Sequence, residues 1–316
     1  MKIYLNMIII NLRKPFLLIF FCGTLLNLSC SSGQQENYEQ QSHVAPSQLD
    51  TPAQQISLTT EDSLTLKMLL QKASEEQWDT LPREELISKV AKHFLQTRYI
   101  AGTLEQPGDE QLVINLQGLD CTTYLENVLA ISKIIKSKAF SFPEFSRELT
   151  NIRYREGKIE DYPSRLHYFT DWLHDNQKKG NIDMVKLAEL AQPLEKQINF
   201  MTEHTGSYEK LSDSAFLKAI RTQEAELNSR EVFYLPQEKI HLAENLIHNG
   251  DIIAITTSIP GLDVMHVGLA LKENKKLHLI HASLSLKEVV ISDKTLADFV
   301  KSNKNMNGII VARARI

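Results

Sequence analysis

Cysteine is scarce here: three in 316 residues are too few for a disulfide framework. Twelve glycines and ten prolines are likewise too few for a fibrous or low-complexity chain. No charge of one sign dominates, since 35 basic residues against 39 acidic give a net charge of −4. The chain therefore lacks the cationic field that holds a nucleic-acid backbone, and a nucleic-acid partner is not expected. Long apolar runs are missing outside the first 30 residues, which leaves no second candidate membrane span. What remains, 42% hydrophobic and 23% charged residues, suffices for an ordinary globular core and excludes wholesale disorder.

The one apolar run has the order of a secretory signal. Lys2, Arg13 and Lys14 precede Phe16 to Leu28, a stretch too short for a comfortable span that ends in Leu28-Ser29-Cys30. This ending resembles a bacterial lipoprotein cleavage site, with Asn27 where the pattern has Leu and Leu26 one place early. The expectation is an exported, periplasmic chain anchored to the membrane through a lipid on Cys30. Polar residues follow, rich in Gln, Ser and Asn, and read as a tether. The organisation expected is a signal at 1–30, a flexible tether at 31–60 and one folded domain at 61–316.

Signal and lipid site account for Cys22 and Cys30, so Cys121 is the lone thiol of the folded part. Such a thiol is either buried and inert or kept for its reactivity. Its neighbours favour reactivity. Gly118-Leu119-Asp120-Cys121-Thr122-Thr123 reads as a turn, an N-cap and a helix start, and Leu125, Val128, Leu129, Ser132 and Ile135 continue at helical spacing. Unpaired N–H groups and the dipole at a helix start lower a thiol's pKa, and the same N–H groups can hold an oxyanion.

Amphipathic periodicity also predicts helices over 62–75, 83–97, 162–176, 183–197 and 212–228. The last third changes period. Residues 251–257, 264–271, 277–283, 288–292 and 308–313 are short, β-branched-rich runs split by Pro260-Gly261, Lys275-Lys276 and Asp293, which predicts an antiparallel sheet. Helices followed by adjacent strands make an α+β fold, with the Cys121 helix packed on the sheet.

A cysteine nucleophile needs a base, usually His, and a group that orients the imidazole. Alternation in 264–271 puts Val267, Leu269 and Leu271 on one face and His266, Gly268 and Ala270 on the other. A helix can approach the small-residue face closely, and if the Cys121 helix packs there the thiol meets His266. On the next strand His281 and Ser283 share a face and are alternative orienting residues, whereas His278 points away and is structural. A zinc site from Asp120, Cys121, Asp263, His266 and His281 is a rival, but no HExxH or CxxC motif supports it, and neither metal nor cofactor is expected.

Asp120-Cys121-Thr122-Thr123, then His266-Val267-Gly268 and His281-Ala282-Ser283, resembles the NlpC-type branch of papain-like cell-wall peptidases. The chain is more similar to the N-acetylmuramoyl-L-alanine amidase-like branch, through Tyr99 to Glu105, Arg153-Tyr154-Arg155, Ser164 to Tyr168 and Asp171-Trp172. Thr122-Thr123 departs from the Ser-Gly or similar pair of the wider superfamily. The resemblance implies a papain-like fold and metal-free hydrolysis of the amide between N-acetylmuramic acid and L-alanine in muropeptides by a monomer. Cys121, His266 and His281 would be catalytic. Tyr99, Asp120, Thr122, Arg153, Arg155, Arg165, His167, Tyr168 and Ser283 would bind substrate, the arginines clamping its carboxylates. A stem-peptide endopeptidase and a muropeptide-binding lipoprotein without activity remain the alternatives.

Overall fold

The computed structural model describes residues 56–316; the signal, Cys30 and the tether up to residue 55 lie outside the described residues. Strands in chain order are β1 (Ile56–Ser57), β2 (Arg98–Tyr99), β3 (Leu112–Val113), β4 (Gly118–Leu119), β5 (Ile182–Met184), β6 (Gln192–Pro193), β7 (Phe233–Pro236), β8 (Ile252–Thr257), β9 (Val264–Glu273), β10 (Lys276–Ser283), β11 (Glu288–Ile291) and β12 (Met306–Ala314). Helices are α1 (Thr60–Glu75), α2 (Arg83–His93), α3 (Cys121–Lys136), α4 (Phe142–Arg153), α5 (Phe169–Lys178), α6 (Phe200–Glu203), α7 (Ser214–Asn228) and α8 (Leu296–Lys301). Order begins before residue 61: β1 pairs with β3, and Thr59 closes a capping box at the start of α1.

One large sheet runs β4-β2-β11-β10-β9-β8-β12-β7-β6, with β5 on β12. It is antiparallel apart from the β2–β4 pair, so the expected antiparallel sheet is mixed at one edge. All six residues of β8 are buried, because this central strand is covered on both faces. One face packs on α1 to α5 through Val267, Leu269, Leu271, Ile280 and Ala282. The other carries Ile253, Ile255, Ala270, Leu277 and Leu279 against Leu296, Ala297 and Val300 of α8.

Almost every residue of α3 is buried, not one face only. Some of the polar residues this encloses are held: Glu126 bonds Arg153 of α4 and Trp172 of α5, and Asn127 donates to the Thr123 carbonyl, whereas Ser132 Oγ is buried without a partner. One helix prediction fails and two others are shifted in their bounds. Residues 183–197 form β5, a single helical turn and β6 rather than a helix. Val185, Leu187 and Leu190 mimic a helical stripe, but they cover the second core from the sheet's edge, where pairing with β12 competes successfully with a local helix. Residues 162–176 hold two helical pieces instead of one helix, a 3-10 turn at Tyr162–Ser164 and then α5 from Phe169, with Arg165 bridging to Tyr154 between them. The second helix stops at His93 instead of Thr97, with Gln96 at a positive φ of 68°.

Candidate active site

Helix α3 starts at Cys121 because Asp120 caps it. Asp120 Oδ1 accepts from the Thr123 N–H at 2.8 Å, and Thr123 Oγ1 accepts from the Asp120 N–H at 2.9 Å. Gly118, expected in a turn, lies in β4 instead. A Cβ there would sit 2.3 Å from Ile100 Cδ1, so glycine is what lets the Ile100 segment lie against the approach to the helix. Strand β2 pairs Tyr99 with Leu119, and the Tyr99 hydroxyl is pushed up by burial and then by the negative charge of Cys121 and Asp120. Tyr99 therefore shares the electrostatic neighbourhood of the thiol.

The Cys121 side chain is buried, and the backbone of Val267 and Thr122 beside it favours the thiolate. Burial, reinforced by the Asp120 carboxylate, pushes the thiol up to about 12. This reverses the expected lowering: loss of water around sulfur outweighs the favourable N–H groups at the helix start. At neutral pH the resting group is the thiol.

His266 lies near the start of β9, opposite Ile255, where the β8–β9 register shifts. Its Nε2 is 2.7 Å from Nδ1 of His281. The rings are perpendicular, with centroids 4.8 Å apart, and the Phe299 ring lies 5.2 Å from that of His281. Gly268 makes this pairing possible. A Cβ at that position would be 2.8 Å from the Ile280 carbonyl oxygen and 3.0 Å from His281 Cβ. Burial, then the neighbouring His281, holds His266 well below its ordinary pKa, and burial holds His281 down at about 4. Both imidazoles are neutral at pH 7.

Helix α3 packs on the Val267, Leu269 and Leu271 face, not on the small-residue face expected from alternation. The reason is area: the larger side chains bury more apolar surface against Tyr124, Leu125 and Val128. His266 and His281 stand on the α8 side, beside Phe299. The sulfur thus meets β9 at the backbone of the residue next to His266.

The Ser283 hydroxyl accepts from the Leu286 N–H at 3.2 Å and so serves the β10–β11 turn. His278 donates to the Ser292 carbonyl at 2.8 Å. Asp263 accepts twice from Thr170, and among the described residues no three His, Cys, Asp or Glu side chains converge on a metal position.

The basic residues read as one clamp are dispersed into separate internal contacts. Arg153 is 1% exposed, its Nε on Glu126 at 2.7 Å and Nη1 on the Val113 carbonyl, which leaves no head group for a substrate. Arg155 pairs with Asp171. His167 bonds the Tyr162 carbonyl at 2.8 Å, and Tyr168 is a core residue donating to Glu224 at 2.7 Å. Arg165 pairs with Glu105 at 2.6 Å. Phe299 was not singled out from the sequence, for it sits in no motif with chemistry of its own, and Glu105, at the end of the quoted Tyr99–Glu105 stretch, was given no role there. Two cavities lie elsewhere: one of about 590 Å³ is lined by Lys196, Tyr234, Thr257, Ser258 and Asn307 among others, and another of about 480 Å³ by Leu173, His174 and Phe233 among others.

Residues 89–309 match the family described as AmiA-like, N-acetylmuramoyl-L-alanine amidase-like. Among solved structures, an N-acetylmuramoyl-L-alanine amidase from Bacteroides uniformis is 38% identical, covering 74% of this chain and 99% of that one, with a TM-score of 0.70. A Bacteroides fragilis protein, named as a candidate xylanase, is 37% identical over 71% of this chain and 99% of its own, with a TM-score of 0.67. A Legionella pneumophila protein shares the fold at 24% identity, covering 81% and 95% of the two chains, with a TM-score of 0.62. A search of curated proteins finds no match.

Proposed function

The chain belongs to the AmiA-like, N-acetylmuramoyl-L-alanine amidase-like family, and from that premise we propose that it hydrolyses the amide between N-acetylmuramic acid and L-alanine in peptidoglycan fragments by a cysteine mechanism on an NlpC-type, papain-like fold. The observation that carries the reading is the 2.7 Å bond between His266 Nε2 and His281 Nδ1. It fixes one ring nitrogen of His266 and leaves Nδ1, without a protein partner among the described residues, for the thiol.

Cys121 and His266 start neutral in this account. As Sγ attacks the amide carbonyl, the thiol proton passes to His266 Nδ1, and His281 holds the imidazolium in place. The developing oxyanion is met by first-turn N–H groups of α3 and by the Tyr99 hydroxyl. His266 then gives the proton to the leaving amine of L-alanine, and the C–N bond breaks to leave a thioester on Cys121. Water, deprotonated by His266, attacks the thioester, the C–S bond breaks to release the muramic acid as the free carboxylic acid, and His266 returns its proton to Sγ. The step requires His266 Nδ1 to reach Sγ from the other face of β9, at the strand's head, where the β8–β9 register shifts.

The domain acts as a monomer at 61–316, and export with a lipid on Cys30 would face it toward murein. Processing blocked by globomycin is the expected result for that anchor, and unblocked processing contradicts it. The scissile bond is tested by mass spectrometry of products from a defined muropeptide with and without its sugar. Release of an intact stem peptide from the sugar-bearing substrate alone is expected, while a dipeptide cut from within the stem overturns the assignment in favour of an endopeptidase.

A further inference from the structure

Arg165 is 4% exposed, and its guanidinium lies over the Tyr162 ring at 5.0 Å. A guanidinium so placed needs acceptors, because it has lost its water. Two come from one loop, residues 102–110: Nη1 donates to the Leu104 carbonyl at 2.9 Å, and Nη2 donates to Glu105 Oε1 at 2.6 Å. Glu110 is farther, 3.7 Å away, and its carboxylate accepts from the Tyr154 hydroxyl.

The Glu105 side chain is 50% exposed and that of Arg165 5%, so the carboxylate covers the buried guanidinium from the solvent side instead of belonging to the core. The surroundings of Arg165 also have unused capacity. The Tyr162 hydroxyl and Thr103 Oγ1 are buried without a hydrogen-bond partner in the structure, on the ring under Arg165 and in the plugging loop respectively. Such hydroxyls ordinarily find partners. Gly102 and Gly108, at φ of 71° and 85°, bracket the plug and have open space around them. The loop begins shortly after Tyr99, the residue that shares the neighbourhood of Cys121.

We propose that the buried Arg165 guanidinium is a carboxylate subsite for an acidic peptide, that Glu105 is the chain's own stand-in for that carboxylate, and that the ligand displaces it as the 102–110 loop swings out. The incoming carboxylate takes the two-pronged guanidinium bond and engages the Tyr162 hydroxyl, which Glu105 leaves idle. The choice of ligand rests on the amidase reading, since muropeptide stems carry carboxylates. The guanidinium site itself does not.

The test is calorimetric titration of the full chain carrying Cys121→Ala with the dipeptide L-alanyl-D-glutamate and with the same dipeptide amidated on its carboxylates. Removing the internal competitor with Glu105→Gln should tighten the acidic dipeptide about fivefold or more, by the competition that a self-ligand imposes, and leave the amidated one unchanged. Arg165→Lys should weaken the acidic dipeptide. Equal effects of Glu105→Gln on both dipeptides, or no binding of the acidic one to either protein, overturns the subsite. Muropeptide turnover by the parent with no preference for the acidic dipeptide rejects the subsite and keeps the amidase. The predicted binding pattern with no turnover by the parent does the reverse. Because Glu105 is half exposed, its glutamine variant keeps the experiment decisive even where Arg165→Lys fails to fold.

Discussion

The thiol's chemistry is decided by two opposed effects on one atom. Helix-start N–H groups favour sulfur's anion, but burial and Asp120 win and hold Cys121 near 12. With the folded pKa raised, the thiolate fraction grows with pH throughout the neutral range. Alkylation of Cys121 by iodoacetamide, followed on its own peptide by mass spectrometry, should therefore keep rising past pH 9. A plateau reached below pH 7 would reveal a resting thiolate–imidazolium pair and contradict this account. Gly268 makes a second point at the same scale. Gly268→Ala forces a Cβ to 3.0 Å from that of His281, so the imidazole must shift; kcat on a muropeptide should fall about 100-fold, as for other small misplacements of catalytic groups. An unchanged kcat would mean that the histidine pairing is dispensable. The positions of Cys121, His266 and His281 were legible in the sequence, a helix start after an N-cap and two alternating strands. Their side of the sheet was not legible. Alternation assigns two faces but cannot say which one the helix covers, and here the bulky face took α3.

At the scale of elements, one buried carboxylate ties three helices together. Glu126 of α3 accepts from Arg153 of α4 at 2.7 Å and from the Trp172 indole of α5 at 3.2 Å. Breaking one side of such a pair strands a charge in the core. Arg153→Met should cost about 3–5 kcal/mol in urea unfolding, and adding Glu126→Leu should recover most of it. A loss below about 1 kcal/mol for the single variant would show that the pair is idle, in contrast to buried pairs generally. The same contact explains why Arg153 looked like a substrate ligand from sequence: a cationic residue beside Tyr154 and Arg155 carries no mark of the partner 27 positions earlier. The five main strands were legible from β-branched runs. The short strands β1 to β7 were not, since two to four residues give no period, and the false helix over 183–197 shows an apolar stripe overruled by a sheet edge.

For the whole molecule, the buried histidines set the response to acid. Burial holds His167 at about 3 and His281 at about 4, and keeps His266 well below the ordinary value. Unfolded, all three bind protons below about pH 6.5. The unfolded state then carries more protons, so stability falls as pH drops from 6.5 toward 4, by up to about 1.4 kcal/mol per histidine per unit. Urea midpoints should be level above pH 7 and decline below 6.5; a flat profile down to pH 4.5 would contradict neutral burial of these rings. The α+β class was readable from the switch in hydrophobic period, while the mixed edge of the sheet depends on contacts remote in sequence. The central claim is that this fold spends its lone buried thiol on breaking an amide, and it is tested most directly by turnover of one defined muropeptide by the parent and by Cys121→Ser. The account predicts a rate loss of about 1,000-fold or more at unchanged thermal stability, the usual scale for removing a nucleophile. A variant that keeps more than about a tenth of the parent's rate would contradict it, because a nucleophile cannot be lost so cheaply.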